Sequence, residues 1–131
     1  MAHKFILCLD FDGVIHRYDS GWRGVSVIPD PPVDGAADFL REAAARFKIC
    51  IYSSRSKSLR GRRAMRRFMR THFHIPLTFS PDHTSDFLDE EISYPWFKPP
   101  AMVTLDDRAM TFTGKWPTMR ELEDFSPWNR A

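Results

Sequence analysis

The sequence predicts an α/β domain with a mostly parallel central sheet, because short apolar runs alternate with helical patterns. Three runs are continuous rather than alternating in polarity, which is typical of strands buried on both faces; they cover residues 4–9, 48–52 and 101–105. Between the first two runs, apolar residues recur at helical spacing at Leu40, Ala43, Ala44 and Phe47. We therefore expect helices on both faces of the sheet, which gives three layers.

The first half of the chain is expected to form a strand, a loop, a helix and a second strand. The strand at residues 4–9 is followed by a loop over about residues 15–33, which is rich in glycine and proline. Residues 25–28 are predicted to be extended within that loop. Asp34 is the predicted N-cap of a helix over residues 35–47, and the second strand follows directly at residues 48–52.

The second half is expected to add a helix, two strands and a short terminal helix. Ser56 or Ser58 is the predicted cap of a helix that runs to about residue 72. Its inner side is predicted to carry Leu59, Met65, Phe68, Met69 and His72. Residues 76–79 are predicted to form a weak strand and residues 101–105 a buried one. Thr118 and Glu121 have capping-box spacing, which predicts a short helix over residues 119–125.

The composition indicates one domain over residues 1–131, with 43% hydrophobic and 27% charged residues. The net charge of +2 does not indicate a protein that binds nucleic acid or membranes through overall charge. No apolar stretch approaches the ~20 residues that span a bilayer. Cys8 and Cys50 both lie in apolar runs and lack Cys-x-x-Cys spacing. A reducing, cytoplasmic location is therefore expected.

Polar side chains follow three of the predicted strands. Asp10 follows the first strand, Ser53 the second, and Asp106 and Asp107 the last. Because parallel strands end at the same edge of a sheet, where open α/β folds bind ligands, we expect these side chains to lie together. Clustered carboxylates repel one another without a cation, and hard oxygen ligands beside a phosphate favour Mg²⁺ over Zn²⁺. The sequence therefore predicts a magnesium site at this edge.

The stretch Asp10-Phe11-Asp12-Gly13-Val14 resembles motif I (Asp-x-Asp-x-Thr/Val) of the haloacid dehalogenase-like, or HAD, superfamily. Ser53 after Ile-Cys-Ile-Tyr resembles motif II, and Lys98 in Phe-Lys-Pro-Pro-Ala resembles the lysine of motif III. Leu-Asp106-Asp107-Arg resembles the acidic motif IV, and the motifs occur in the family's order. The resemblance implies a Rossmann-like, three-layer domain and a Mg²⁺-dependent phosphatase.

The resemblance also implies how the carboxylates act. Asp10 would be the nucleophile that forms an aspartyl-phosphate. Asp12 would protonate the leaving oxygen and then deprotonate the hydrolytic water. Asp10, the backbone carbonyl of Asp12 and one of Asp106 or Asp107 would bind Mg²⁺. An acid at position 12 favours hydrolysis of a phosphate ester, since dehalogenase members lack it.

Polar and basic residues complete the implied site. Ser53 would hydrogen-bond a phosphoryl oxygen, and Lys98 would offset the negative charge of the nucleophile and the phosphoryl group. Lys57 and Arg55 are alternatives for the role of Lys98. Gly13, Ser54 and Arg55 are the expected substrate-binding residues, with a structural ion pair as the equal alternative for Arg55.

The substrate-facing side of the site is expected to be open. Only about 40 residues separate Asp12 from Ser53, and 44 separate Ser53 from Lys98, so neither interval holds a substantial cap domain. The expected substrate-facing element is the loop with His16, Arg17, Tyr18, Trp22 and Arg23. The alternative is that these residues simply anchor the loop. A phosphorylated small molecule, a nucleotide or a nucleic-acid end is the expected substrate.

Two other functional classes remain open at this stage. The first is a non-catalytic module of the same fold that binds Mg²⁺ or phosphate. The second is a nucleic-acid-binding protein that uses the arginine-rich helix at residues 59–70, although a solvated outer face is the favoured explanation of those arginines. No membrane partner is expected. Near the end of the chain, Trp116, Phe125 and Trp128 are expected to pin the terminal segment to the domain.

Overall fold

The computed structural model of this chain describes residues 4–73 and 92–129. Within those residues it contains four strands and three α-helices in the order β1 (Ile6–Leu9), α1 (Ala36–Arg46), β2 (Lys48–Ile51), α2 (Leu59–His72), β3 (Ile92–Ser93), β4 (Val103–Leu105) and α3 (Met119–Glu123). A single turn of 3-10 helix at Ser54–Lys57 joins β2 to α2. The helices and strands predicted in the described residues are present, each shorter by a few residues at its ends, apart from α2, which extends to His72 as predicted.

The four strands form one sheet in the order β3-β2-β1-β4, and every pair of neighbours is parallel. In this register Leu9 at the end of β1 is paired with Ile51 on one side and with Leu105 on the other. The predicted α/β class with a parallel sheet is therefore confirmed. Because β1, β2 and β4 end at the same level, the residues that follow them share one edge of the sheet.

The core lies where α1 and α2 pack against the central strands. Leu7 and Leu9 of β1 are buried, as are Leu40 of α1 and Met65 and Phe68 of α2. Each fully buried side chain of this size contributes about 1.5–3 kcal/mol relative to its exposed state. The two central strands are therefore held firmly, and the loops at their carboxyl ends start from fixed points.

Three details of the strand prediction are different in the structure. β4 is at the edge of the described sheet, and Val103 and Leu105 are 45% and 40% exposed, so this strand is not buried on both faces. Residues 25–28 are not extended; Val25 and Ser26 form a turn. The short strand β3 was not predicted, and the weak strand predicted at residues 76–79 lies outside the described residues.

Ser58 and Thr118 are the N-caps of α2 and α3 as predicted, whereas the predicted cap of α1 is wrong. Gly35, with a φ of 84°, is the N-cap of α1 in place of Asp34, and it makes no side-chain capping bond. Ser58 caps α2 by accepting a hydrogen bond from Gly61 N–H. Leu59 and His72 are exposed, although both were predicted on the inner side of α2. The buried side of this helix instead includes Gly61, where a Cβ would lie 2.2 Å from the carbonyl oxygen of Arg55.

Within the described parts of the chain, the helices are all too short or too polar to cross a membrane. The two cysteines, Cys8 and Cys50, are free and buried, as their apolar surroundings in the sequence indicate. Burial is the main cause of the raised pKa of the Cys8 thiol.

Candidate metal and phosphate site

The polar residues predicted at the carboxyl ends of three strands lie at the same edge of the sheet: Asp10, Ser53, Asp106 and Asp107. The parallel hydrogen bonding continues one residue beyond the strands. Tyr52 N–H donates to Leu9 O, and Asp10 N–H donates to Leu105 O, each at 3.0 Å. These bonds fix the backbone at the start of each loop, so the predicted shared edge is present in the structure.

Asp10, Asp106 and Asp107 form an acidic cluster in which one carboxylate oxygen of each lies within 4.8 Å of the other two. Asp106 is exposed and accepts a hydrogen bond from Arg108 N–H at 2.9 Å. The side chain of Asp107 is only 1% exposed, and neither of its oxygens accepts a hydrogen bond from the described residues. Arg108 Nε lies 4.0 Å from Asp107 Oδ2, which is beyond hydrogen-bond distance, so this buried carboxylate lacks a direct donor. A bound cation would offset the cost of burying it. The oxygen-only donor set fits a hard ion such as Mg²⁺.

Gly13 is required beside this cluster for two reasons. Its φ of 87° is a left-handed conformation that side chains disfavour. A Cβ at this position would also lie 2.0 Å from Asp107 Oδ2. These two observations explain the need for glycine beside Asp107, and the predicted contact of Gly13 with substrate stays a prediction.

Burial raises the pKa of Asp10 to about 8. The negative charges of Asp106 and Asp107 add to the increase, and the hydrogen bond from Phe11 N–H to Asp10 Oδ1, at 2.8 Å, acts against it. Burial also raises the pKa of Asp107. Two carboxylates cannot hydrogen-bond each other, but a proton on Asp10 would let it donate to Asp107. Without a cation, the cluster therefore favours a shared proton.

The raised pKa values predict a pH-dependent stability for the metal-free protein. Because the folded protein keeps protons that the unfolded chain loses near the ordinary pKa of 3.8, this contribution is fully present below about pH 4. It is lost as the pH rises through about 8. The free energy of unfolding in EDTA should thus fall over this range, by at most about 1.4 kcal/mol per pH unit for each proton.

Chemical denaturation at several pH values, with EDTA and with Mg²⁺, measures this effect. The stabilisation by Mg²⁺ should grow as the pH rises, because the ion binds the ionised cluster. The Asp10→Asn variant should lose most of the slope, whereas Asp38→Asn, which changes a carboxylate with an 87% exposed side chain, should keep it. A slope that survives Asp10→Asn would contradict the assignment to this cluster.

Asp12 lies next to the cluster but is not part of it, and its carboxylate is held by two buried side chains. Arg55 Nε donates to Asp12 Oδ2 at 2.9 Å, and Arg55 Nη2 donates to Oδ1 at 3.2 Å. His16 Nδ1 lies 2.9 Å from the same Oδ1. The side chain of Asp12 is 12% exposed. These contacts tie the Asp12 side chain to His16 and to the turn after β2, and the backbone carbonyl of Asp12 stays the predicted metal ligand.

Arg55 is fully buried, and the contacts described for it are those of a structural ion pair. Besides its two bonds to Asp12, it donates from Nη1 to Gly24 O at 2.9 Å and to Val25 O at 2.8 Å. Its guanidinium also stacks on the ring of Trp22, 4.6 Å from the ring centroid. Of the two roles that the sequence left open for Arg55, these contacts match the ion pair, and substrate contact stays a prediction.

His16 was expected either to face the substrate or to anchor its loop, and its completely buried side chain matches the anchoring role. Its contact with Asp12 was not predicted. Asp30 N–H donates to His16 Nε2 at 3.0 Å, so Nδ1 carries the proton that is directed to Asp12. The spacing of four residues between Asp12 and His16 was the available signal, but such a pair is common in helices and this segment is a turn. Of the other residues predicted in that loop, Trp22 remains half exposed.

The polar residues after β2 are placed differently from one another. Ser53 is buried, and its Oγ accepts a hydrogen bond from Arg55 N–H at 3.1 Å and donates to Met65 Sδ at 3.4 Å. Ser54 is exposed at the start of the 3-10 turn. Lys98 is also exposed, and its positive charge acts on the Cys8 thiol by lowering the pKa against the effect of burial. The described residues show no hydrogen bond between Lys98 and the acidic cluster.

The C-terminal segment contacts the loop that follows β1, at Gly13 and Arg17. Trp128 Nε1 donates to Gly13 O at 2.7 Å, and Asn129 Nδ2 donates to Arg17 O at 2.9 Å. Trp128 thus pins the terminal segment to the domain as expected, whereas Trp116 is 84% exposed. Residues near the C-terminal end of the described chain therefore hold the loop beside the acidic cluster.

Comparisons of the chain with models of protein families, with curated proteins and with solved structures found no match.

Proposed function

We propose that this protein is a Mg²⁺-dependent phosphohydrolase of the HAD type that cleaves a phosphomonoester through an aspartyl-phosphate. The observation that carries the proposal is the acidic cluster at the carboxyl edge of a parallel sheet. Its buried member, Asp107, has two oxygens for which the described residues supply no donor. Such a cluster, which includes the candidate nucleophile Asp10, could hold the metal ion that stabilises the charge of a phosphoryl group during transfer.

The proposed fold is a three-layer, Rossmann-like domain without a substantial cap, in a cytoplasmic protein. Between Asp12 and Ser53 the chain forms a loop, α1 and β2, which supports the absence of a cap in that interval. Part of the second interval, residues 74–91, lies outside the described residues. The proposal therefore rests on the first interval and on the short length of the second.

The donor set of Asp10, Asp106 and Asp107, with the carbonyl of Asp12, would hold the Mg²⁺ ion. When bound, the ion supplies positive charge that offsets the repulsion between these carboxylates and a phosphoryl group. Asp107 gains most, because its carboxylate is buried and lacks another donor among the described residues. Asp10 would then be ionised at neutral pH, as a nucleophile must be.

The reaction proceeds in two displacements at phosphorus. A carboxylate oxygen of Asp10 attacks the phosphorus atom, so that a bond from Asp10 to phosphorus forms and the bond to the leaving oxygen breaks. Asp12 gives a proton to that leaving oxygen. Water then attacks the phosphorus of the aspartyl-phosphate, Asp12 accepts a proton from the water, and Asp10 is released as a carboxylate together with inorganic phosphate.

The contacts of Asp12 suit the second half of this exchange, in which it accepts a proton from the water. The first half requires that proton to be carried on Oδ2 before the ester bond breaks. Its Oδ2 accepts a hydrogen bond from Arg55 Nε alone among the described residues, so a lone pair remains on this oxygen. The side chain is also partly accessible, at 12%. His16 and Arg55 position the carboxylate from the buried side, which leaves the opposite side for substrate.

Ser53 and Lys98 complete the proposed phosphate site. Ser53 Oγ donates to the thioether of Met65, which is a weak acceptor, and a phosphoryl oxygen would compete well for the same proton. Lys98 is exposed and long enough to turn towards an anionic ligand. Ser54, exposed beside Ser53, is the proposed second hydroxyl contact.

Phosphate release from a panel of phosphomonoesters tests this function directly. The panel includes sugar phosphates, nucleoside monophosphates and oligonucleotides with a terminal phosphate. Activity should require Mg²⁺, disappear in EDTA and return when Mg²⁺ is restored in excess. Activity that is equally high in EDTA would contradict the proposed role of the cluster.

The same panel separates the proposal from the two other classes. A phosphate-binding module would bind Mg²⁺ and phosphate without turnover. A nucleic-acid-binding protein would bind oligonucleotides with steep salt dependence through the exposed arginines of α2, also without turnover. That helix has no acidic residue, and Arg60, Arg63, Arg66, Arg67 and Arg70 are exposed on it. This observation keeps nucleic-acid binding as the second candidate.

A further inference from the structure

A groove of about 930 Å³ lies along the segment that follows the acidic cluster. It is lined by residues that lie between position 108 and position 125, among them Arg108, Met110, Phe112, Trp116, Leu122 and Phe125. This volume is within the range of small-molecule sites, about 300–1,000 Å³. The groove is therefore large enough for a ligand of the size of a nucleoside.

The groove contains an aromatic platform made by Phe112 and Trp116. The two ring centroids are 4.9 Å apart, with an angle of 51° between the ring planes. Phe112 is 57% exposed and Trp116 is 84% exposed. Large apolar side chains left exposed together around a concave surface are typical of a binding site. Their flat faces favour a flat, stacking ligand over a flexible or strongly hydrated one.

Arg108 joins this groove to the acidic cluster. Its side chain lines the groove, and its Nε is 4.0 Å from Asp107 Oδ2. Its backbone N–H donates to Asp106 Oδ1. If the phosphorus atom of a phosphomonoester lies at Asp10, its leaving group would therefore be able to reach the groove. The lining carries two cations, Arg108 and Lys115, and one anion, Glu121, so its charge does not oppose the approach of a ligand that carries a phosphate.

We infer that this groove binds the nucleoside part of a terminal nucleoside phosphate, whose base stacks on the exposed face of Trp116 and contacts the edge of Phe112. The inference rests on the proposed function for the position of the phosphate. Stacking accounts for the aromatic platform, and the hydroxyls of Thr111, Thr113 and Thr118 in the lining provide hydrogen bonds to the sugar or the base edge. A base that stacks on a protein ring contributes about 1–3 kcal/mol to binding. Phe112 and Trp116 are therefore the specificity-determining residues of the site.

Equilibrium binding to a protein that cannot turn over its ligand provides the test. Adenosine 5′-monophosphate and ribose 5-phosphate, which lacks the base, are titrated into the Asp10→Asn variant in Mg²⁺. The nucleotide should bind about 5- to 150-fold more tightly than the sugar phosphate, as one stacked base implies. In the Asp10→Asn protein, Trp116→Leu or Phe112→Leu should lower the affinity for the nucleotide almost to that for ribose 5-phosphate. The affinity for ribose 5-phosphate should not change.

A tryptophan outside the groove provides the matched control. Trp96 is 42% exposed, and the guanidinium carbon of Arg62 lies 4.0 Å from the centroid of its ring. Trp96→Leu should therefore leave the ratio of the two affinities unchanged. Because Trp116 is so exposed, Trp116→Leu should fold like the parent. Equal affinity for the two ligands in the parent, or an equal loss for both in Trp116→Leu, would overturn the inference.

Turnover of the same two ligands by the unmodified protein separates this inference from the proposed function. Equal hydrolysis of both ligands, with no effect of Trp116→Leu, would leave the phosphatase intact and reject the nucleoside groove. Binding that depends on Trp116 without any turnover would support the groove and reject the phosphatase. A parallel titration with a 5′-phosphorylated oligonucleotide distinguishes the two sources of the ligand: tighter binding of the mononucleotide indicates a free nucleotide, and tighter binding of the oligonucleotide indicates a chain end.

Discussion

Replacing Asp10 by asparagine is expected to lower the rate of phosphate release at least about 1,000-fold, because an amide cannot act as the nucleophile. The substitution keeps the size of the side chain, and the amide oxygen can still accept the hydrogen bond that Phe11 N–H makes to Asp10 Oδ1. The measurement is the single-turnover rate of the best substrate in the panel. Activity close to that of the parent would reject Asp10 as the nucleophile.

The stability of Asp10→Asn distinguishes loss of the nucleophile from unfolding, because an unfolded variant would be less stable than the parent. Asparagine carries no charge, so it removes the repulsion from Asp106 and Asp107 and the cost of burying a carboxylate. Asp10→Asn should therefore be at least as stable as the parent in EDTA near pH 8, and it should gain less from Mg²⁺. Asp38→Asn should retain both the activity and the response to Mg²⁺, because the Asp38 side chain is 87% exposed on α1.

The acidic part of the site was predictable because it depends on short-range sequence features. Asp10 and the Asp106–Asp107 pair each follow an apolar strand directly, and parallel pairing then places them at the same edge. The burial of β4 was not predictable in the same way. An apolar run identifies a strand but does not show whether that strand has a neighbour on each side, and β4 has β1 on one side only among the described strands.

The contacts that surround Asp12 could not be predicted, because they join distant parts of the chain. Arg55 reaches Asp12 across 43 positions and the backbone of Gly24 across 31. Trp128 reaches Gly13 across 115 positions. No periodicity reports such pairs, and an arginine that follows a strand is equally suitable for binding a phosphate or a carboxylate. The structure supplies the partner, which is the information that the sequence lacked.

Arg55→Met is expected to lower the free energy of unfolding by about 3–5 kcal/mol, because it removes one partner of a buried ion pair. Methionine fills part of the same space, but it has no donor for Asp12 or for the carbonyl oxygens of Gly24 and Val25. Chemical denaturation measures the change. Arg63→Met is the matched control: this arginine is exposed on α2, so its loss should change stability by no more than about 0.5 kcal/mol.

A double-mutant cycle shows whether the loss arises from the pair with Asp12. If it does, the double variant Asp12→Asn, Arg55→Met should be less destabilised than the sum of the two single effects. The difference between that sum and the effect of the double variant should be roughly 0.5–3 kcal/mol. A phosphate-binding Arg55 would give the opposite pattern, with unchanged stability and a weaker affinity for substrate. Because the guanidinium has no exposed surface and bonds both oxygens of Asp12, we expect the stability effect to dominate. Arg55 would then act on the reaction through Asp12, by holding the proposed proton-transfer carboxylate in place.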